Sequence, residues 1–223
     1  MKKQKKKRRL RVGRLFLLLL FISVISFALI KFVDVPIRNI IIKGNDVLTD
    51  QEIIEIAELE DYPSYFSTFS FSVKNKILKN KYVKSVKVSK GILSIKISIT
   101  EKKVLYVDSL TNEKITDDGI AIKDDKIICV PYLVNEVPQK KKSGFLKAMN
   151  KIDKDILCQM SEIKYDPNEI DDDRYYVNMN DGNSVYLTVN KFDKLNKYNT
   201  ILENVGKQNG TLYLDYGDYF EVK

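Results

Sequence analysis

Residues 85–100 read SVKVSKGILSIKISIT. Val86 and Val88 alternate with Ser85, Lys87 and Ser89, Lys90-Gly91 supplies a turn, and Leu93, Ile95, Ile97 and Ile99 alternate with Ser94, Lys96, Ser98 and Thr100. Apolar residues in strict period two make a strand with one buried and one solvated face, so this stretch is a half-buried hairpin. Such a sheet needs a cover on its apolar face, and the residues before it supply one. Thr49-Asp50-Gln51-Glu52 has the pattern of a capping box, and Ile53, Ile56 and Ala57 follow at helical spacing. Ser72 is placed to cap a second helix running to about Asn80, with Val73 and Ile77 facing inward. Upstream, Ile37 to Lys43 is a strand stopped by Gly44-Asn45, and the aromatic run Tyr62 to Phe71 is a loop packed on the core. The order is β-α-α-β-β, a small α+β domain.

Further toward the N-terminus lies LFLLLLFISVISFALIKFV, Leu15 to Val33, uncharged as far as Ile30. As a helix at ~1.5 Å per residue it is about 28 Å long, close to the ~30 Å hydrocarbon core of a bilayer. Before it stand Lys2, Lys3, Lys5, Lys6, Lys7, Arg8, Arg9, Arg11 and Arg14 with no acid. Basic flanks stay cytoplasmic, so the tail is expected inside and the rest outside. A cleaved signal peptide shares these features, but the run is longer than a signal core and Phe27-Ala28-Leu29-Ile30-Lys31 offers no small-x-small cleavage site. A retained anchor is the better reading.

The 223 residues carry a net charge of +8, all of it from that tail; the remainder is near neutral. The positive charge therefore marks topology and attraction to anionic lipid, and no basic face suggests nucleic acid. There is no histidine, which removes a His base, a His triad and a His metal ligand. No Gly-rich phosphate loop and no Gly-x-Ser-x-Gly is present. The acid groups Asp117-Asp118 and Asp171-Asp172-Asp173 sit in polar turn-like sequence and read as solvated loop residues; Asn178, Asn180, Asp181 and Gly182 lack calcium-loop spacing. No catalytic residue, cofactor, metal or small-molecule substrate is expected. Cys129 and Cys158 stand in apolar sequence, which favours two buried free thiols over a bridge.

From Val104 the pattern changes to short strands and turns. Strands are expected at Val104 to Val107 and Ile127 to Val134, with Asp117-Asp118-Gly119 as a turn and Lys140-Lys141-Lys142 as a solvated loop. Ser143 opens a helix carrying Phe145, Met149, Ile152 and Ile156. Tyr175, Val177 and Met179 alternate up to Asp181-Gly182, and Val185, Leu187 and Val189 alternate back. A helix follows from about Lys191 to Val205, and the last convincing strand is Thr211 to Tyr216; Phe220 and Val222 extend a final edge segment. Tyr176, Tyr186, Tyr213 and Tyr219 read either as interface anchors or as ordinary strand tyrosines.

The order of these parts resembles the FtsQ/DivIB family of bacterial cell-division proteins. Ile40-Ile41-Ile42-Lys43-Gly44-Asn45 followed by Leu48-Thr49-Asp50-Gln51-Glu52-Ile53 resembles the opening of the family's POTRA domain. Tyr82-Val83-Lys84-Ser85-Val86-Lys87-Val88 and Leu93-Ser94-Ile95-Lys96-Ile97 with Glu101-Lys102 resemble its next two strands. Lys81 and Val104 stand where the family often has proline. Asp181-Gly182, the Lys194-Leu195 helix and Leu212-Tyr213-Leu214-Asp215 resemble its C-terminal β domain more loosely. The resemblance implies a basic cytoplasmic tail (residues 1–14), a single transmembrane helix (15–33), a POTRA domain (34–106) and a mixed, mostly antiparallel β domain with helices (107–223). It implies a non-enzymatic scaffold at the septum, bound outside the membrane to the small coiled-coil proteins of FtsB/DivIC and FtsL type. Other readings are a POTRA-type assembly or chaperone protein outside division, and a membrane-tethered wall hydrolase. An unprotected last strand invites a partner's extended segment. The expected contacts are Tyr213, Asp215, Tyr216 and Tyr219, unless that strand is central or covered by the helix before it.

Overall fold

The structure is a computed structural model that describes residues 12–206 and 208–223. Residues 1–11 of the expected tail, which spans 1–14, lie outside them. A helix α1 runs Val12–Val33, and its described apolar side chains from Leu15 to Phe27 are 42–68% exposed. Side chains at 29–33 are not described; among the described residues no helix is long and apolar enough to cross a membrane. The chain divides into two compact units, Met1–Thr100, which includes α1, and Glu101–Lys223.

The first unit continues with β1 (Asn39–Lys43), α2 (Asp50–Ala57), α3 (Ser70–Ile77), β2 (Val83–Gly91) and β3 (Ser94–Glu101). The sheet order is β1-β3-β2, with β1 parallel to β3 and Ile40 opposite Ile95, Ile42 opposite Ile97. Ile95, Ile97 and Ile99 are buried while Lys96 is exposed; Ile53, Ala57, Val73 and Ile77 complete the core from the two helices. The capping box forms: the Glu52 N–H donates to Thr49 Oγ1 at 3.2 Å and the Thr49 N–H donates to Glu52 Oε2 at 2.8 Å. Gly44 is needed at its turn, because it has φ +83° and a Cβ there would lie 2.2 Å from the Ile99 carbonyl oxygen. Two local expectations shift. The β2–β3 turn falls at Ile92-Leu93, with Leu93 at φ 48°, because β2 extends through Lys90-Gly91. Helix α3 opens at Ser70 behind Phe69 rather than at Ser72.

The second unit contains β4 (Val104–Asp108), β5 (Glu113–Thr116), β6 (Ala121–Ile122), β7 (Tyr132–Leu133), α4 (Gln139–Asn150), α5 (Lys154–Gln159), β8 (Met160–Tyr165), β9 (Arg174–Met179) and β10 (Ser184–Thr188). A 3₁₀ segment Val189–Lys197, α6 (Tyr198–Asn204), β11 (Gly210–Tyr213) and β12 (Tyr219–Val222) complete it. One mixed sheet runs β12-β11-β10-β9-β8-β7-β4-β5-β6. The division between units falls before the expected boundary at Tyr106, because β4 pairs with β5 and β7. The parallel pairing of β10 with β11 requires a crossover, which the 3₁₀ segment and α6 supply in place of one continuous helix. The core face is centred on Phe145, stacked on Tyr175 with ring centres 5.0 Å apart and edge-on to Phe192 at 6.1 Å.

Three further expectations are corrected. Lys140-Lys141-Lys142 lies in the first turns of α4, where lysine is a good helix former and Lys141 pairs with Asp172 and Asp173 at 2.7 and 2.9 Å. Ile127 to Val134 contributes only the two residues of β7; Ile127 is fully exposed. Cys129 and Cys158 form a disulfide, with Cα atoms 4.7 Å apart. Helix α5 brings Cys158 to the surface loop that carries Cys129, whose side chain is exposed despite its apolar sequence neighbours.

Candidate functional site

Strands β9 to β12 present a row of tyrosines on the sheet face opposite the aromatic core. Alternation turns Tyr175 into the core and Tyr176 out; Leu187 and Val185 point in and Tyr186 out; Leu212 points in and Tyr213 out. Register then aligns them: Tyr176 is opposite Tyr186, Tyr186 opposite Tyr213, and Tyr213 opposite Tyr219. Ring centres step 4.9, 5.5 and 4.7 Å from Tyr176 to Tyr219, the last two pairs nearly parallel. Cross-strand aromatic pairs of this kind stiffen a sheet, and four in file make a flat amphipathic surface with few rotatable bonds.

The row is braced at one side by Arg174. Its guanidinium lies 3.9 Å above the Tyr186 ring, donates from Nε to Asp215 Oδ2 at 2.9 Å and reaches Asp166 Oδ2 at 2.8 Å. Burial works against its charge, but the hydrogen bond and Coulombic pull of Asp215, with Asp166 and Tyr186 adding, raise its pKa above the ordinary value. The Asp215 side chain is only 2% exposed, so this carboxylate closes the end of β11 onto β9 and is not presented to solvent as expected. Lys191 donates to the Asp215 carbonyl at 3.2 Å, and Lys191 and Lys194 both pair with Asp218. At the outer end, a hydrogen bond from the Tyr213 phenol to the Glu221 carboxylate, followed by desolvation, raises the phenol's pKa.

The strand Thr211 to Tyr216 is not the edge. β12 pairs antiparallel outside it, Gly210 opposite Val222 and Leu212 opposite Phe220. Gly210 permits that approach: a Cβ would lie 2.1 Å from the Glu221 carbonyl oxygen and against the Phe220 ring. The outer side of β12 ends the sheet. Of the four expected contacts, Tyr213 sits inside the row and Tyr219, 53% exposed, ends it on the edge strand. Tyr216, 56% exposed, lies past β11 and donates its hydroxyl to Asn168 Oδ1 at 3.1 Å, apart from the row. Arg174 was not anticipated, and no local signal marks it: its partner Asp215 is 41 residues away. Among the described residues no group of three or more His, Cys, Asp or Glu side chains is placed to hold a metal ion.

The class is thus a two-unit α+β protein: a β-α-α-β-β unit of POTRA architecture, then a mixed sheet ending in an aromatic-faced edge. Residues 35–102 match the family model described as POTRA domain, FtsQ-type. The chain is 28% identical to the cell division protein DivIB of Bacillus subtilis (strain 168), over 99% of this chain and 86% of that protein. It is 27% identical to DivIB of Listeria monocytogenes serovar 1/2a, over 97% and 85%. The solved major extracytoplasmic domain of DivIB from Geobacillus stearothermophilus aligns at 24% identity and TM-score 0.40, over 48% of this chain and 97% of that one. Residues 35–102 are thus similar to FtsQ-type POTRA domains, and the chain over nearly its whole length is similar to DivIB cell-division proteins.

Proposed function

We propose that this protein is a non-enzymatic, membrane-anchored scaffold of the bacterial division septum, linking early and late division proteins through extracytoplasmic contacts. Similarity to DivIB cell-division proteins over nearly the whole chain carries the reading. The anchor is α1: apolar side chains exposed on every side of a helix need a lipid environment. Its basic flank keeps the tail cytoplasmic. The Cys129–Cys158 bridge supports the same topology, since disulfides persist in oxidising compartments. The partners are small coiled-coil proteins of FtsB/DivIC and FtsL type. One of them lays an extended segment along the outer side of β12, pairing main chain to main chain, while flanking side chains rest on Tyr213 and Tyr219. Tyr216 flanks that contact, and Asp215 holds β11 in place beneath it.

The localisation is tested with a fluorescent fusion, which should form a midcell band in dividing cells. Removing residues 34–106 should weaken the band; uniform membrane fluorescence of the intact fusion would overturn the septal reading. Topology has its own test. A reporter active only outside the cytoplasm, fused after Lys223, should be active. Protein extracted without reductant should resist thiol alkylation at Cys129 and Cys158 and become reactive after reduction. A silent reporter together with freely reactive thiols would reverse the orientation.

A further inference from the structure

Apart from Ile41 on β1 and Leu78 after α3, the large exposed apolar side chains of the POTRA unit lie in the segment 62–71 and at the β2–β3 turn. The chain leaves α1 at Val33, and within three residues it is tied down: Pro36 bridges Ser64, the Ile37 N–H donates to the Pro63 carbonyl at 3.0 Å, and the Tyr65 N–H donates to the Val35 carbonyl at 2.8 Å. Three residues span at most about 10 Å, so the loop 62–69 is held close to the end of the helix. The β2–β3 turn joins the same end. The Arg38 N–H donates to the Leu93 carbonyl at 2.8 Å, Tyr65 donates its hydroxyl to the Gly91 carbonyl at 2.7 Å, and Lys90 Nζ donates to the Tyr65 and Thr68 carbonyls.

What this end shows to its surroundings is apolar. Ile92 is 95% exposed, Tyr62 and Phe69 57%, Phe71 67%. The turn also breaks the usual chemistry. Ile92 and Leu93 stand where a tight hairpin wants Gly, Asn or Asp, and Leu93 adopts φ 48°. A large apolar residue at a turn tip in water gains nothing for folding; a departure of this kind marks a position with another task.

We infer that this end of the POTRA unit, Ile92 with Tyr62, Phe66 and Phe69, inserts into the headgroup region of the bilayer that holds the chain's own helix. The inference rests on reading α1 as a membrane anchor. The bilayer is the occupant because the tether fixes it there: the segment that emerges from α1 forms the middle of the patch. Aromatic rings are favoured at the level of the headgroups, and an isoleucine tip reaches past them. The anchor alone would leave the POTRA unit free to swing about residues 34–35. A second contact fixes its tilt, so that β1 and β3 rise from the membrane and their far ends at Lys43 and Glu101 point away from it.

The chain has no tryptophan, so a single one reports its own depth. Full-length protein is reconstituted in vesicles whose phospholipid acyl chains are brominated near the headgroup, and quenching is measured for Phe21→Trp, Ile92→Trp, Phe69→Trp and Lys43→Trp. The exposed positions outside α1 accept the ring without repacking. Ile92→Trp and Phe69→Trp should be quenched and blue-shifted, Phe21→Trp quenched, and Lys43→Trp, about 13 Å further along β1 at ~3.3 Å per residue, unquenched. Quenching of Phe21→Trp alone overturns the insertion and leaves the anchor standing, with the patch in water or on another protein. Loss of quenching at Phe21→Trp as well overturns both.

Discussion

Ile97→Asp should unfold the POTRA unit, while Lys96→Asp beside it leaves its stability within about 0.5 kcal/mol. Ile97 is completely buried on β3, opposite Ile42 of β1 and between Ile95 and Ile99. Nothing on that face offers a hydrogen bond to a carboxylate. The substitution removes a buried aliphatic side chain and places an unpaired charge among apolar atoms, for a combined cost above about 4 kcal/mol. A unit this small has only about 5 kcal/mol to lose. Lys96 faces solvent on the same strand, where its ammonium is hydrated with or without the fold. Hydrogen exchange on the full chain separates the units: in Ile97→Asp the β3 amides should exchange freely while those of β9 and β10 keep their protection. Equal protection of β3 in both variants would mean that the strand's inward face has been misidentified.

What was legible before the structure was local or periodic. The stripe Ile95, Ile97, Ile99 and the pair Thr49 and Glu52 declare themselves within a few residues, since a pleat has period two and a capping box spans one turn. What was not legible depends on residues brought together across the chain. Cys129 looks buried among Ile127, Ile128 and Val130, yet its loop lies on the surface, and only the placement of α5 sets Cys158 beside it. Lys140-Lys141-Lys142 reads as loop by charge, but its helix is held by Asp172 and Asp173, some thirty residues later. Tyr176, Tyr186, Tyr213 and Tyr219 were visible as outward strand residues; that they form one file required the strand order and a parallel β10–β11 register. The final edge segment at Phe220 and Val222 is legible and forms β12, but Gly217 and Asp218 interrupt the alternation, so the sequence alone points to Thr211–Tyr216 as the open docking edge.

That file of tyrosines carries the second large expected effect. Tyr213→Ala combined with Tyr219→Ala should weaken binding of the proposed DivIC-type partner about thirtyfold or more, since one aromatic anchor at the centre of an interface is worth about 2 kcal/mol or more when truncated and stacked neighbours do not add in full. Both rings lie on the outer face, stacked on each other, and neither contributes to the Phe145, Tyr175 and Phe192 core, so the sheet survives their removal. A matched control comes from Tyr165→Ala. Tyr165 lies on β8, packs against Tyr175 and hydrogen-bonds the Asp172 carbonyl, away from the row, so its loss costs local packing and leaves affinity unchanged. Arg174→Met distinguishes the surface from the edge. It keeps the aliphatic cover over Tyr186 but releases Asp215, freeing the end of β11 and with it the strand to which β12 is paired. If the partner needs the edge itself, Arg174→Met should weaken binding although both tyrosines remain; hydrogen exchange should show the loss confined to β11 and β12. Affinity of the double tyrosine variant within about twofold of the parent, in protein whose β9 and β10 amides stay protected, would overturn the anchor role of the row, because buried central anchors are the interface residues whose truncation to alanine costs most.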